Sequence, residues 1–366
     1  MALHGWRVRV PLSVVPAGGG RAVVRAVSSG GSPGSPPLVP PAKPKPGVVP
    51  TAAASAPSDE MVAALAHFVR SRQRLLVVTG AGVSTESGIP DYRGLNGAYS
   101  KGHVPMKHQE FLASVDARRR YWARSYAGYA RFSAAEPNAA HRAIAALGCD
   151  VVTQNVDALH TKSRVPGAHE GVQESGPALV ELHGSAHRVL CLRCESRLPR
   201  DAFQRRFASY NAGFARHLER SGTQEEGEGA NVAPGMSSES SARPDGDVEL
   251  GVFDYGSVVI PPCTFCGQDE GMLKPDVTFF GDNVPRATKD KVDGLMERAD
   301  GVLAVGTSLQ VYSAFRIVKG MVDEGKPLAI VNVGATRADD LATLTCNALA
   351  GTLMPALVKE LAKHNI

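Results

Sequence analysis

Acidic residues are absent from residues 1–58, and nowhere does the chain hold the ~18 consecutive apolar residues of a membrane-spanning helix. We therefore expect no membrane partner. The formal net charge is only +4 over 366 residues, and subtracting the six basic residues of the acid-free leader leaves about −2 for the rest. A nearly neutral body gives no general argument for nucleic-acid binding, so no nucleic-acid partner is expected.

The acid-free leader combines arginines with Ala, Ser and Val, a composition typical of an organelle transit peptide. Residues 29–57 are rich in Gly, Ser and Pro and read as a linker with nothing to bury. We predict that residues 1–57 form a transit peptide and linker and that residues 58–366 form the folded domain. The expected compartment is the mitochondrial matrix, with a plastid as the alternative; an untargeted tail is the competing interpretation.

Short apolar segments alternate with helical patterns along the rest of the chain. Met61, Leu65 and Phe68 recur at helical spacing, which predicts a helix over 58–73. Further helices are predicted over 109–132 and 138–147. Strands are predicted at 75–78, 151–153, 178–182, 277–280, 301–305 and 328–331, each ending in polar or glycine-rich sequence. This order predicts an α/β fold with a parallel sheet and a site at the carboxyl ends of its strands.

A glycine-rich string follows the first of these strands. Gly80 and Gly82 permit a tight turn and a close approach of ligand to backbone, which is how an α/β sheet offers N–H groups to a pyrophosphate. The next glycine is Gly88, so the spacing is not G-x-G-x-x-G, and no acidic residue stands at a clear ribose-reading position about 20 residues on. These departures disfavour an ordinary hydride-transferring oxidoreductase.

Four of the six cysteines form two C-x-x-C pairs, Cys191 with Cys194 and Cys263 with Cys266. Two intervening residues allow both thiolates to face one tetrahedral ion, so the pairs predict a Zn²⁺ site. Four thiolates leave no open coordination position, which makes such a site structural. Paired disulfides and inert buried thiols are the alternatives, and both are disfavoured in a reducing compartment.

Polar residues follow two other predicted strands. Gln154, Asn155, Val156 and Asp157 come after the strand at 151–153, where amide and carboxylate groups can face a ligand. A polar turn or helix cap is the alternative for Asn155 and Asp157. His183 follows the strand at 178–182, and it is either a structural histidine or a general base, since a neutral imidazole suits that role near pH 7–8.

Together and in this order, the motifs resemble the sirtuin family, from about residue 60 to the C-terminus. The resemblance is carried by the string 80–93, Gln154–Asp157, His183–Gly184, the two cysteine pairs, Gly306–Ser308 and Asn332–Gly334. Other strings resemble the mitochondrial class II branch, the sirtuin-four type: 121–124, 244–248, 273–277, 308–313 and 336–341.

The resemblance implies a large Rossmann-like domain with a parallel sheet and a small zinc-binding domain over 186–272, the latter containing a disordered insertion at about 219–249. It also implies an NAD-dependent protein-lysine deacylase that acts on acylated proteins and releases nicotinamide, deacylated lysine and O-acyl-ADP-ribose. His183 would be the general base and Asn155 the second catalytic residue. The residues implied to bind NAD are Gly80, Ala81, Gly82, Glu86, Asp91, Tyr92, Arg93, Gln154, Asn155, Val156, Asp157, Gly306, Thr307, Ser308, Asn332, Val333, Gly334 and Ala350.

The substrate side is less determined. Val277 and Phe279 lie where the resemblance implies that the substrate backbone pairs as an added strand. Tyr121 and Arg124 are three residues apart on a predicted helix, and an arginine fork there could recognise a carboxylate at the end of an acyl chain. A surface arginine beside a packed tyrosine is the equal alternative. The class II resemblance suggests lipoyl, biotinyl or branched dicarboxylic acyl groups.

Other functions remain open. The first is NAD-dependent protein mono-ADP-ribosyl transfer. A zinc ribbon that binds nucleic acid is the second, because three arginines surround the first cysteine pair; no aromatic residue interleaves them for base stacking, so a solvated face is favoured. The stretches at 161–182 and 219–249 depart from the class II pattern, which places the substrate specificity in question.

Overall fold

In the computed structural model, the described residues are 56–94, 97–164, 176–222, 243–250, 253–267 and 272–363. The predicted transit peptide and nearly all of its linker lie outside them, as do 165–175 and 223–242, which belong to the two stretches that depart from the class II pattern. Within the described ranges, every helix is too short or too polar to cross a lipid bilayer.

The described residues form nine strands and ten α-helices. The strands are β1 (Leu75–Thr79), β2 (Asp150–Thr153), β3 (Leu179–Glu181), β4 (Gly184–Cys191), β5 (Arg197–Pro199), β6 (Leu273–Val277), β7 (Gly301–Val305), β8 (Leu328–Val331) and β9 (Leu344–Cys346). The helices are α1 (Asp59–Arg70), α2 (His108–Ala113), α3 (Val115–Ser133), α4 (Ala139–Ala146), α5 (Leu159–Arg164), α6 (Arg200–Tyr210), α7 (Ala212–Gly222), α8 (Arg286–Arg298), α9 (Tyr312–Asp323) and α10 (Ala350–Ala362).

The larger sheet contains six strands in the order β3-β2-β1-β7-β8-β9, and all of its pairs are parallel. Val77 of β1 sits opposite Val151 on one side and Leu303 on the other. The chain proceeds outwards in one direction through β2 and β3 and in the other through β8 and β9. The strand order therefore reverses between β1 and β7, and in open α/β sheets ligands bind at that point.

Helices cover both faces of this sheet, which explains why β1, β7 and β8 are buried along their whole length. Helix α1 packs on one face together with α4 and α10, and it buries Leu65 and Phe68 as its periodicity predicts. Its first turn is capped by the Ser58 hydroxyl, which accepts a hydrogen bond from Met61 N at 3.2 Å. Helices α8 and α9 pack on the opposite face.

The smaller sheet is antiparallel, with the order β5-β4-β6. Its core is aromatic: the Trp122 ring lies 4.2 Å from that of Phe203, and its Nε1 donates to the Leu273 carbonyl at 2.9 Å. The guanidinium of Arg200 is buried 4.9 Å from the Trp122 ring centroid and donates to Ser125. Ring faces, the two Ser125 oxygens and Gln204 Oε1 surround this charge and stabilise it.

Two expectations about this smaller unit need correction. The strand predicted at 277–280 is wrong in its bounds, because the observed strand, β6, ends at Val277. It pairs with β4 in the small antiparallel sheet and not in the parallel sheet, and its last pair joins Val277 to Gly184. Residues 243–249 belonged to the predicted insertion but are packed, with Val248 buried. Gly128 of α3 permits this packing, since a Cβ there would lie 2.1 Å from the Gly246 carbonyl oxygen.

Candidate active site at the strand-order reversal

A cavity of about 630 Å³ opens at the carboxyl ends of β1 and β7. Loops that follow β1, β2, β7 and β8 form one side, and residues just beyond β6 form the other. Most of the site residues predicted from the sequence line it: Ala81, Gly82, Asp91, Tyr92, Arg93, Gln154, Asn155, Val156, Asp157, His183, Val277, Phe279, Gly306, Thr307, Ser308, Asn332, Val333 and Gly334.

The loops after β1 and β7 touch each other through two glycines. Gly82 N donates to the Gly306 carbonyl at 2.9 Å, and a Cβ on Gly82 would lie 2.7 Å from that same oxygen. Gly306 has φ +58°, and a Cβ there would lie 2.6 Å from Val83 N. Only glycine fits this crossing without strain. Both glycines line the cavity, so no side chain at these two positions stands between a ligand and the backbone, which suits a pyrophosphate.

Ser84 connects the polar residues that follow β2. Its hydroxyl donates to Asp157 Oδ2 at 2.7 Å and accepts from Asn155 Nδ2 at 3.0 Å, and Asn155 also donates to the Gly80 carbonyl at 3.0 Å. Burial raises the pKa of the Asp157 carboxyl, and the hydrogen bonds from Ser84 and Leu159 N oppose this shift. The network fixes both side chains at the wall of the cavity.

Two buried histidines support this network from behind. His141 Nδ1 accepts from Asn138 N at 3.4 Å in the capping box of α4, so its Nε2–H faces the Ser84 hydroxyl at 3.5 Å. His160 Nε2 lies 2.9 Å from Thr79 Oγ1, and its ring meets that of His141 edge to face at 4.9 Å. Burial lowers the pKa of His141 to about 4 and that of His160 well below its ordinary value. Both imidazoles are neutral at physiological pH.

His183 lies at the end of β3, on the wall of the cavity. Its Nδ1 is 3.1 Å from the Gln154 carbonyl, an acceptor, so Nδ1 carries the proton and Nε2 presents a lone pair. Ser313 Oγ lies 2.8 Å from Nε2 and donates to it. Burial lowers the pKa of His183 to about 4, against the opposing effect of the Gln154 carbonyl. The imidazole is therefore a neutral proton acceptor with a fixed orientation.

The chain that leaves β6 forms the wall facing the sheet. Thr278 N donates to the His183 carbonyl at 2.8 Å, which ties this wall to the histidine. The Phe279 ring packs against Tyr121 at 5.3 Å between centroids, and Nζ of the buried Lys274 lies 4.4 Å from the Phe279 centroid. Val277 and Phe279 thus border the cavity in extended chain next to a strand end.

Five predicted site residues do not line the cavity. Gly80 lies against Thr307, Glu86 contacts Gly351 beside the start of α10, and Ala350 begins that helix. Tyr121 is only 4% exposed and packs among Phe111, Trp122 and Phe279. Arg124 is turned away, because its guanidinium pairs with Asp247 at 3.0 Å and Glu249 at 3.1 Å. Arg124 is mostly buried and paired within the chain, so it matches neither the surface-arginine alternative nor the carboxylate-recognition hypothesis.

The four predicted metal-ligating cysteines come together. Their sulfur atoms lie within 4.8 Å of one another, with Cys191 Sγ 3.8 Å from Cys266 Sγ and Cys194 Sγ 3.8 Å from Cys263 Sγ. Sulfurs placed about 2.3 Å from Zn²⁺ at tetrahedral angles are about 3.8 Å apart, so the cluster fits one zinc ion. A disulfide requires about 2.05 Å, and the cysteines are free thiols. The disulfide alternative is excluded.

Several residues at or next to the cavity were not predicted from the sequence. Ser84 and Ser313 lie within strings that carry the resemblance, but a hydroxyl signals nothing by itself. Asp245 and Pro244 line the cavity although they fall in the predicted insertion. The sequence did not identify His141 as a site residue, because its position near the start of a helix shows only that it can cap that helix. These residues act through tertiary contacts that no local pattern reports.

The sequence of the chain is similar to a family model and to curated proteins of other organisms. A family model described as the Sir2 family matches residues 80–313, more than half of the chain. The chain is 43% identical over 300 residues to the NAD-dependent protein deacylase Sirt4 of Drosophila melanogaster, covering 80% of this chain and 85% of that protein. It is 42% identical over 308 residues to the NAD-dependent protein deacylase SRT2 of Arabidopsis thaliana, covering 82% and 77%.

Solved structures give the same result. One from work on the mechanism and regulation of Sir2 enzymes has a TM-score of 0.58 at 25% identity and covers 84% of this chain and 99% of its own. Sir2Tm bound to a propionylated peptide has a TM-score of 0.55 at 25% identity, covering 82% and 98%. These matches confirm the predicted family and fold class, and the cysteine geometry confirms the predicted structural zinc site. The chain belongs to the Sir2 family.

Proposed function

We propose that the chain is an NAD-dependent protein-lysine deacylase with His183 as its general base. The curated relatives named above are NAD-dependent protein deacylases, and one solved neighbour is bound to a propionylated peptide. The observation that carries the proposal is the neutral imidazole of His183, whose Nε2 lone pair lies on the wall of the cavity at the strand-order reversal.

The cavity offers two chemically different ends. At the glycine crossing, Gly82 and Gly306 line the cavity without side chains, so a pyrophosphate can approach the backbone there. At the other end, Val277, Phe279 and the chain between them border the cavity, where a peptide could lie alongside as an added strand. NAD supplies a ribose carbon that becomes electrophilic when nicotinamide leaves. Apolar walls exclude water, so the acyl oxygen of the substrate reaches this carbon first.

Individual side chains have separate roles in this proposal. Asn155 and Asp157 are held rigid by Ser84 and so present fixed polar groups to the nicotinamide side without reorganisation. His183 Nε2 accepts the proton of a ribose hydroxyl while that hydroxyl oxygen attacks the acyl carbon. The proton enters the imidazole as the hydroxyl oxygen forms its bond, and the Gln154 carbonyl stabilises the resulting imidazolium through Nδ1–H.

The test is a turnover assay on the full chain with NAD and a panel of acyl-lysine peptides. Mass spectrometry follows nicotinamide, deacylated peptide and O-acyl-ADP-ribose. Wild type is expected to form all three in equal amounts. His183→Ala is expected to lower kcat/KM by a factor on the order of 10² to 10⁴, whereas His67→Ala, which removes an exposed histidine of α1, is expected to match wild type.

Two results would contradict the proposal. ADP-ribose attached to protein, without deacylated peptide, would establish the ADP-ribosyl transferase instead. Equal turnover by wild type and His183→Ala would remove the histidine from the reaction. Zinc content and the thermal unfolding midpoint of each variant show whether a loss of activity reflects chemistry or misfolding.

We also propose import into the mitochondrial matrix. The proposal is supported by the arginine-bearing, acid-free composition of residues 1–57. A fluorescent protein that carries only these residues should accumulate in mitochondria. Diffuse cytosolic fluorescence would contradict the proposal, and accumulation in plastids would favour the alternative compartment.

A further inference from the structure

The turn that follows Asp157 contains a strained residue. Ala158 has φ +57°, in the left-handed region that residues with a side chain seldom occupy, and it is buried. Rotation of the peptide unit between Asp157 and Ala158 would bring φ of Ala158 to a negative value, as in the change from a type II to a type I turn. The turn therefore has a less strained alternative, in which the Asp157 carbonyl points the other way.

His187 of β4 opposes this rotation. Its Nε2 lies 3.1 Å from the Asp157 carbonyl oxygen, which is an acceptor, so Nε2 carries the proton and donates. Its Nδ1 then presents a lone pair, and the Tyr129 hydroxyl donates to it at 3.3 Å. Burial lowers the pKa of His187 to about 4, against the opposing effect of the Asp157 carbonyl. The imidazole is therefore neutral, and its one N–H is directed at that carbonyl.

Packing fixes the ring that supplies this donor. The imidazole of His187 stacks on Phe132 at 5.7 Å between centroids and meets Tyr129 edge to face at 5.7 Å. The preceding residue, Ala186, donates its N–H to the Val156 carbonyl at 2.9 Å and so ties β4 to the same turn. The donor belongs to the small sheet and the acceptor to the loop after β2, so a contact between the two sheets holds the turn.

The Asp157 carboxyl depends on the conformation of this turn. Leu159 N donates to Asp157 Oδ1 at 3.0 Å across the strained Ala158, and Ser84 donates to Oδ2 at 2.7 Å. Rotation of the peptide unit after Asp157 changes the backbone on which both the carboxyl and the Leu159 donor are carried. The carboxyl lines the cavity wall assigned above to the nicotinamide side. Loss of the His187 donor should therefore disturb that side and leave the glycine crossing unchanged.

We propose that His187 is a positioning residue for the nicotinamide half of NAD, because it holds the Asp157–Ala158 peptide in its strained orientation and thereby keeps the Asp157 carboxyl in place. This inference rests on the NAD-dependent function proposed above. It assigns to the small sheet a direct part in binding the cofactor.

The test measures Kd by calorimetry on the full chain for two ligands, NAD and ADP-ribose, in which a hydroxyl replaces nicotinamide. Neither measurement requires turnover. His187→Phe keeps a ring that can stack on Phe132 but has no donor. It is expected to weaken NAD binding about five- to tenfold, the effect of one lost hydrogen bond, and to leave ADP-ribose within about twofold of wild type.

Two further variants separate positioning from general stability. His187→Gln offers an amide N–H to the same carbonyl and is expected to keep the Kd for NAD within about threefold of wild type. Ala158→Gly, added to His187→Phe, is expected to recover at least about threefold in that Kd. Glycine adopts φ +57° without the steric cost that favours the rotation.

Three results would overturn the inference. They are a Kd for NAD that His187→Phe leaves unchanged, an equal weakening of NAD and ADP-ribose, which would indicate a general structural role, and no recovery on adding Ala158→Gly. If the expected binding results are obtained but wild type forms no deacylated peptide, the deacylation proposed above is overturned and the positioning role of His187 is retained.

Discussion

Acidification should destabilise the protein through the buried His141. Its side chain is fully buried, and burial lowers its pKa from an ordinary 6.5 to about 4. Between these values the unfolded chain binds a proton that the folded protein does not, so the stabilisation is complete above pH 6.5 and is lost as the pH falls toward 4. At pH 5 this one histidine should lower the free energy of unfolding by about 2 kcal/mol relative to pH 7.5.

The matched variant is His141→Gln. Glutamine is a standard residue at this third position of a capping box, so it can keep the hydrogen bond from Asn138 N without titrating. Urea unfolding followed by circular dichroism at pH 7.5 and 5.0 gives the free energy of unfolding for both proteins. The pH-dependent loss should be smaller in the variant by about 2 kcal/mol.

His67→Gln is the control, because His67 is exposed on α1 and should leave the pH dependence of wild type unchanged. If wild type and His141→Gln lose the same free energy of unfolding on acidification, the titration of His141 does not account for the predicted loss of about 2 kcal/mol. If His67→Gln reduces the loss equally, the effect arises from overall charge instead of burial.

Three further predictions concern the site. Gly306→Ala should cost about 1–3 kcal/mol of stability and weaken NAD binding measured by calorimetry, because φ is +58° there and a Cβ would lie 2.6 Å from Val83 N; unchanged affinity would argue against the glycine crossing as the pyrophosphate site. Ser313→Ala should lower kcat about three- to tenfold and shift the pH profile of kcat/KM, since His183 Nε2 loses the donor at 2.8 Å, and Ser313→Thr should restore both; an identical pH profile would refute this positioning role. Cys263→Ser should lose stoichiometric zinc by elemental analysis and lower the urea midpoint, because the fourth thiolate closes the tetrahedron; full zinc retention would exclude Cys263 as a ligand.

The large sheet was predictable because its strands are buried on both faces. The strands predicted at 301–305 and 328–331 match β7 and β8 exactly in their bounds. Continuous apolar runs bounded by glycine or polar residues leave few alternatives to a central parallel strand. The edge strand β9 gave no such signal, since it is only three residues long and carries a threonine in its middle.

The small antiparallel sheet was not predictable in the same way. Leu273 to Val277 includes a lysine, a proline and an aspartate, so the apolar run appeared to start only at Val277. Arg188 and Arg197 stabilise this strand by pairing with Asp276, at 3.0 Å and 2.8 Å. Contacts of this kind between distant residues override local propensity.

The same limit explains the outcome for the candidate site. Residues next to strand ends, such as Gly306 and Asn155, were found because topology alone brings them together. The direction in which Arg124 points depends on Asp247, more than a hundred residues away in the chain, so the helical spacing of Arg124 and Tyr121 could not determine it.

The burial of Trp122 has a practical consequence. The chain contains two tryptophans, and the other is Trp6 in the leader, so a protein without the leader emits from Trp122 alone. That indole donates to the Leu273 carbonyl and packs against Phe203 at a tilted angle. Its emission maximum and quenching would therefore report the aromatic core around β6. Unfolding of the part of the chain that holds the cysteine cluster, followed by Trp122 fluorescence, could then be distinguished from unfolding of the larger sheet without any added label.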